Sequence, residues 1–173
     1  MDASPDTIRS EMVALLPRLR RFALSLTGNR ADGEDLAQET VERALNHLRQ
    51  WQSGTRLDSW MFRIAQNLFI DERRSAKRKR DALAEAVHMQ AASVQDGARD
   101  AEARLTWKET CAALATLPAE QRSAVALVLI DGMSYREAAA VLGVPIGTLT
   151  SRLARGRDAL ATRIFGSGED LRP

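Results

Sequence analysis

The chain has 173 residues, which at about 150 residues per domain leaves room for one domain or two small ones and excludes a large enzyme. Lys plus Arg number 25 against 23 Asp plus Glu, with 28% charged and 45% hydrophobic residues, the composition of a soluble globular chain rather than a disordered one. The single cysteine, Cys111, excludes an internal disulfide and a multi-cysteine zinc site and fits a reducing compartment.

Met1 to Ile8 carries two acids and no long apolar run, and nowhere does the chain reach the roughly 18 apolar residues of a membrane span. A cytoplasmic protein without membrane insertion is expected. Strand formers are scarce and alternating runs absent, so the chain reads as all-helical. The apolar run Ala124 to Ile130 is the exception that periodicity alone does not assign.

Apolar positions at Met12, Leu15, Leu16, Leu19, Phe22, Ala23 and Leu26 follow the three-and-four spacing of one helix face. Pro17 either kinks this helix or resets its start. Gly28 and Asn29 stop it, and Asp32 opens a second helix with Leu36, Ala37, Val41, Ala44, Leu45 and Leu48 inward. After a break around Ser53 and Gly54, a third helix is predicted from about Trp60 toward Arg74 or beyond, burying Trp60, Met61, Ile64 and Leu68.

Charge is segregated between these neighbours. Residues 31–45 hold five acids against Arg43, whereas residues 63–80 hold seven bases against Asp71 and Glu72. On the third helix Arg63, Asn67 and Arg74 fall at spacings of four and seven, a polar stripe suited to a duplex edge. On the second, Asp35, Gln38, Glu39 and Glu42 recur at i, i+3, i+4 and i+7. That stripe is either a solvated face or a dock for a basic protein, since a DNA-binding chain gains nothing by showing acids to phosphates. Trp60 continues the apolar face, and Trp51 is open between packing and contact with an unstacked base.

Beyond Arg80 the composition shifts to Ala, Gln, Ser and acids with little periodicity, so 81–104 reads as a linker, in part helical. Helical spacing resumes at Leu105 through Trp107, Cys111, Leu114 and Leu117, and Pro118 suits the first turn of the next helix. Residues 119–130 form a further short helix or a strand. Ser134-Tyr135-Arg136-Glu137 is a capping box, and the helix it starts ends at Gly143-Val144-Pro145. Another helix begins near Ile146 with Leu149, Leu153 and Leu160 inside.

Helix, short glycine-containing turn, helix is a DNA-binding arrangement. Its second helix presents Thr148, Thr150, Ser151, Arg152 and Arg155 outward, with Arg157 and Arg163 adding to a basic surface opposed only by Asp158. Hydroxyls and guanidinium groups can meet phosphates or base edges in the major groove. The plainer alternative is an amphipathic hairpin with a solvated basic face.

Several runs together resemble the bacterial extracytoplasmic-function sigma factors of the RNA polymerase sigma-70 family. They are Asp32-Gly-Glu-Asp-Leu-Ala-Gln-Glu-Thr-Val-Glu-Arg-Ala, Trp60-Met-Phe-Arg-Ile-Ala-Gln-Asn with Asp71-Glu-Arg-Arg, Leu117-Pro, Ser134-Tyr-Arg-Glu-Ala-Ala, and Val144-Pro-Ile-Gly-Thr-Leu-Thr-Ser-Arg-Leu-Ala-Arg-Gly-Arg. They keep the family's order over about residues 12 to 162.

The resemblance implies an all-α fold of two small helical domains joined by a flexible linker: sigma region 2 over 1–80, the linker over 81–104, sigma region 4 with its helix-turn-helix over 105–165, and a tail over 166–173. It implies a promoter-specificity subunit, without catalysis, cofactor or metal, that binds core RNA polymerase and promoter DNA. Asp35, Gln38, Glu39 and Glu42 would dock on the polymerase clamp helices. The loop 51–59 would capture a flipped base of the minus-ten element, Arg63 and Asn67 would read its upstream edge, and Arg73, Arg74 and Lys77 in the basic run to Arg80 would hold phosphates. Thr148, Thr150, Ser151, Arg152, Arg155 and Arg157 would serve the minus-thirty-five element, with Ser151 and Arg155 at DNA-facing positions. The acidic linker would mimic nucleic acid in the polymerase interior. Thr150 and Gln66 stand where many relatives are basic, so promoter preference is expected to differ. With no further domain after Pro173, control is expected from a separate anti-sigma factor.

Two other classes compete. A stand-alone regulator would bind palindromic DNA without polymerase, its N-terminal helices dimerising or sensing a ligand. A metal-dependent nuclease would use Asp32, Glu34, Asp35 and Glu39, but no His, Cys or phosphate loop completes such a site. His47 and His88 are isolated, and Cys111 reads as a small buried residue rather than a redox sensor.

Overall fold

A computed structural model describes residues 5–52, 55–84 and 101–165. Seven α-helices account for most of them: α1 (Pro5–Thr27), α2 (Arg30–Asn46), α3 (Leu57–Ala84), α4 (Ala101–Ala115), α5 (Ala119–Val125), α6 (Tyr135–Leu142) and α7 (Ile146–Phe165). A single 3-10 turn, Leu48–Gln50, follows α2, and no strand occurs among the described residues.

Pro17 neither breaks nor restarts α1. Pro17 is exposed, as is Val13 four residues earlier, so the carbonyl that loses its amide partner lies on the solvent side. The α1–α2 turn is set by Gly28, whose φ is +81°. A Cβ there would also come within 2.7 Å of the Ala115 Cβ in α4. Asn29 caps α2, its side chain accepting from the Asp32 amide at 2.9 Å, so α2 begins at Arg30, earlier than Asp32. Leu45, expected inside, is 45% exposed. It lies roughly 120° around the helix from the arc of Gly33, Leu36, Thr40 and Ala44 that is buried.

α1, α2 and α3 pack as one group around Leu19, Phe22, Leu26, Leu36, Met61 and Phe62, with the Phe22 and Phe62 rings edge to face at 4.9 Å. α3 starts before Trp60 and runs into the segment expected as linker; α4 likewise starts at Ala101 rather than Leu105. The rest of that segment, residues 85–100 with His88, lies outside the described residues, as do Ser53, Gly54 and the tail 166–173.

In the C-terminal half Pro118 is the N-cap of α5, one position before the first turn. The Ala124–Ile130 run is helical, α5 passing into a π-helical segment, Ala126–Ile130. The widened turn is closed by Asp131 N–H to the Ala126 carbonyl at 3.0 Å. Ala124, Val125, Ala126 and Leu127 are buried, but Leu129 is 54% exposed. One apolar cluster runs from α1–α3 through Ala124, Val125 and Leu127 to Leu149 and Leu153. The two helical groups therefore pack on each other, an arrangement the sequence had left open.

Candidate nucleic-acid interface

The hairpin of α6 and α7 is fixed at both ends. The Ser134 hydroxyl accepts from the Glu137 amide at 3.3 Å, and the Glu137 carboxylate accepts from the Ser134 amide at 2.9 Å, the reciprocal capping expected. Gly143 ends α6 at φ +64°, a left-handed conformation that favours glycine. With Leu149, Leu153 and Gly156 buried, Ser151 and Arg155 occupy the middle of the solvent face of α7. Half-buried Thr148 and Arg152 flank it on one side, exposed Thr150 and Arg157 on the other. Thr150 donates its hydroxyl proton to the Ile146 carbonyl and Ser151 to that of Thr148, both at 2.9 Å. Their outward lone pairs are left to accept from a donor.

On α3, Arg63, Asn67, Arg73, Arg74 and Lys77 are all exposed, and Arg63, Asn67, Arg74 and Lys77 share one arc of the helix. Gln66 is only 6% exposed, and its Oε1 has no hydrogen-bond partner in the protein. Arg73 instead stacks on Phe69 at 5.4 Å. A cleft of about 580 Å³ separates α3 from α5 and α7, with Arg73, Arg74 and Lys77 on one wall and Arg152 on the other. Arg63 spans to the other group, donating from Nη2 to the Ala140 carbonyl of α6 at 2.7 Å.

The acidic stripe of α2 faces away from the core: Asp35, Gln38, Glu39 and Glu42 are all exposed. Gln38 donates to Glu42 at 2.9 Å, and Arg43 pairs with Glu39 at 3.1 Å. Exposed pairs of this kind add little stability, so the stripe is available to a partner. Trp51 and Trp60 are half-buried against the core; the Trp51 Nε1 is buried without a hydrogen-bond partner. His47 is exposed, its Nδ1 2.9 Å from the Arg43 carbonyl.

Sequence reasoning missed a charged cluster between the two groups. Arg18 of α1 donates to both oxygens of Asp131, at 3.1 and 2.7 Å, and to Asp58 at the start of α3 at 3.3 Å. Arg56 donates to both Asp58 oxygens, at 3.0 and 2.6 Å, and to the Glu137 carboxylate of the capping box. Asp131 and Asp58 side chains are only 3% and 9% exposed. Burial alone would raise the Asp58 carboxyl, but hydrogen bonds from Arg56 and the Ser59 amide, with the charges of Arg56 and Arg18, hold it below 3.8. The hydrogen bond to Asp131 is the main cause that raises Arg18 above its ordinary value. The one trace in the sequence is a charged residue, Arg18, between Leu15 and Leu19 of an apolar face.

Arg122 was also missed. Its residue is 1% exposed, and it donates to the Leu26 carbonyl of α1 and to the Ala115 and Leu117 carbonyls. Burial and the nearby Arg73 charge lower it to about 10. Cys111 is buried, and desolvation pushes its thiol up to about 11. Among the described residues no group of three His, Cys, Asp or Glu could hold a metal ion, and no helix is long and apolar enough to cross a membrane.

The described residues thus form an acid-faced helical bundle followed by a helix-turn-helix. Residues 12–79 match Sigma-70 region 2, and residues 112–160 match Sigma-70, region 4. The ECF RNA polymerase sigma factor EcfG of Rhodopseudomonas palustris (strain TIE-1) is 38% identical over 169 residues, 97% of this chain and 91% of that protein. SigW of Bacillus subtilis (strain 168) is 31% identical over 157 residues, covering 85% of this chain and 83% of SigW. The sigma factor RpoE of Bartonella quintana, solved in complex with the anti-sigma factor NepR, superposes with a TM-score of 0.72 at 33% identity, over 88% of this chain and 93% of that one. The chain belongs to the ECF RNA polymerase sigma factors.

Proposed function

We infer that this chain is a promoter-specificity subunit that binds core RNA polymerase in the cytoplasm and directs initiation without chemistry of its own. The carrying observation is the division of charge: an exposed acidic face on α2, and exposed basic faces on α3 and α7. Asp35, Gln38, Glu39 and Glu42 meet a basic surface of the polymerase. Arg63 and Asn67 read the minus-ten element while Arg73, Arg74 and Lys77 hold its phosphates. Thr148, Thr150, Ser151, Arg152, Arg155 and Arg157 serve the minus-thirty-five element, Ser151 and Arg155 toward base edges and the flanking residues toward phosphates. A 33% identical sigma factor is held by an anti-sigma factor, which supports control of the same kind here.

The test combines purified protein, bacterial core RNA polymerase and a library of promoter fragments, followed by sequencing of the transcripts. Start sites that appear only when both proteins are present, with a shared upstream pattern, are expected. Binding of palindromic DNA by the chain alone, with no polymerase-dependent transcript, would replace this reading with a stand-alone regulator.

A further inference from the structure

We propose that the cleft between α3 and the α5–α7 segment binds an adenine nucleotide, its base on Gln66 and its diphosphate among Arg73, Arg74, Lys77 and Arg152. The binding itself does not depend on the sigma-factor reading above.

Three observations carry it. The first is a buried acceptor with nothing to accept. Gln66 lines the cleft and is only 6% exposed, yet its Oε1 has no hydrogen-bond partner in the protein. A carbonyl left in that state costs free energy that a donor would recover. The terminal torsion of a glutamine is soft, so the carboxamide can turn to a ligand in the cleft. Such a group pairs with adenine in two places, Oε1 accepting from the N6 amino group and Nε2 donating to N7.

The second is a surplus of cations. Arg73, Arg74 and Lys77 on one wall and Arg152 on the other are opposed among the lining residues only by Asp71 and Glu120. Among the described residues none of the four forms an ion pair. Arg122, which shares the Phe69 ring with Arg73, is lowered to about 10 by burial and then by the Arg73 charge, so an anion at Arg73 relieves a crowding of like charge. A diphosphate between guanidinium and ammonium groups answers that imbalance.

The third is spacing. Gln66 and Arg74 stand about 12 Å apart along α3 at 1.5 Å per residue, the reach of an extended nucleoside diphosphate from base to terminal phosphate. Ile70 lies midway between them, and Leu142 and Val144 line the cleft at the α6–α7 turn, all three half-buried; they suit the faces of a base and a sugar. The volume of about 580 Å³ falls within the roughly 300–1,000 Å³ of small-ligand sites. A nucleotide seated here occupies the cations assigned to promoter phosphates, a consequence that, unlike the binding, rests on the sigma-factor reading.

The test is isothermal titration calorimetry of the full chain at about 0.15 M salt with three probes: ADP, inosine diphosphate, which carries an oxygen in place of the N6 amino group, and inorganic pyrophosphate. ADP is expected to saturate one site and to bind at least about tenfold tighter than either of the others. Gln66→Leu should bring ADP to within about twofold of inosine diphosphate and leave pyrophosphate unchanged. Arg74→Ala with Lys77→Ala, both at exposed positions, should weaken all three probes by about tenfold or more. Circular dichroism and unfolding temperature check that each variant folds. No saturable heat with ADP, equal affinity for the three probes, which marks an anion patch without a base site, or a folded Gln66→Leu that keeps the ADP preference would each overturn the proposal.

Discussion

Arg122 of α5 donates a hydrogen bond to the Leu26 carbonyl near the end of α1, with its guanidinium 5.9 Å from the Phe69 ring centre. One buried cation thus ties the C-terminal group to a helix C-terminus of the N-terminal group, where the macrodipole favours positive charge. Arg122→Met should keep the volume but leave three carbonyls short of a donor, costing about 1–3 kcal/mol. Thermal unfolding should fall by about 5 °C for a chain of this size, and an unchanged midpoint would show the bonds contribute nothing.

Asp58 predicts an acid limit. Its carboxyl is held below 3.8 in the folded chain, so the unfolded chain binds the extra proton first. The stability contributed is fully present above 3.8 and is lost as pH falls through the lower folded value. Unfolding temperature measured from pH 6 to pH 2 should drop more steeply in the wild type than in Asp58→Asn, which has no such carboxylate to protonate.

Cys111 should be inert in the folded protein. Burial pushes its thiol up to about 11, leaving almost no thiolate at neutral pH. Iodoacetamide at pH 7.5, read by mass spectrometry, should label it only after denaturant is added; rapid native labelling would reopen a redox role.

At the centre of the exposed face of α7, Arg155→Ala should weaken binding of polymerase holoenzyme to its promoter by about 1–3 kcal/mol and relax discrimination at one position. Filter binding to a promoter series checks this. Equal affinity for every sequence in both proteins would refute a base-reading role.

Glu39→Lys with Glu42→Lys reverses charge on a face that touches no part of the core. Polymerase binding should fall by at least about a hundredfold while the circular dichroism spectrum stays as it was. Undiminished binding would leave the α2 stripe as a solvated surface.

Much of the site was legible because its signals are local. Ser134 and Glu137 lie three residues apart, so their reciprocal capping is written in the sequence. The Ser151 and Arg155 face follows from the spacing of Leu149 and Leu153. By contrast, Leu45 looked apolar and inward but lies off the buried arc, and the Ala124–Ile130 run gave no period to separate strand from helix. Asn29, rather than Asp32, caps α2 because its side chain reaches the Asp32 amide, a choice between two good capping residues that composition does not settle.

Helical class, the order of the acidic helix, basic helix and helix-turn-helix, and most of the residues facing outward on each, Leu45 excepted and Thr148 and Arg152 only half exposed, were determined by the sequence alone. They depend on spacings of three, four and seven along single helices. The packing of the two groups, the pairing of Arg18 with Asp131 across 113 positions, and the burial of Arg122 were decided only by tertiary structure. Those contacts join residues distant in the chain, and their strength comes from exclusion of water by surrounding helices, a property no single segment carries.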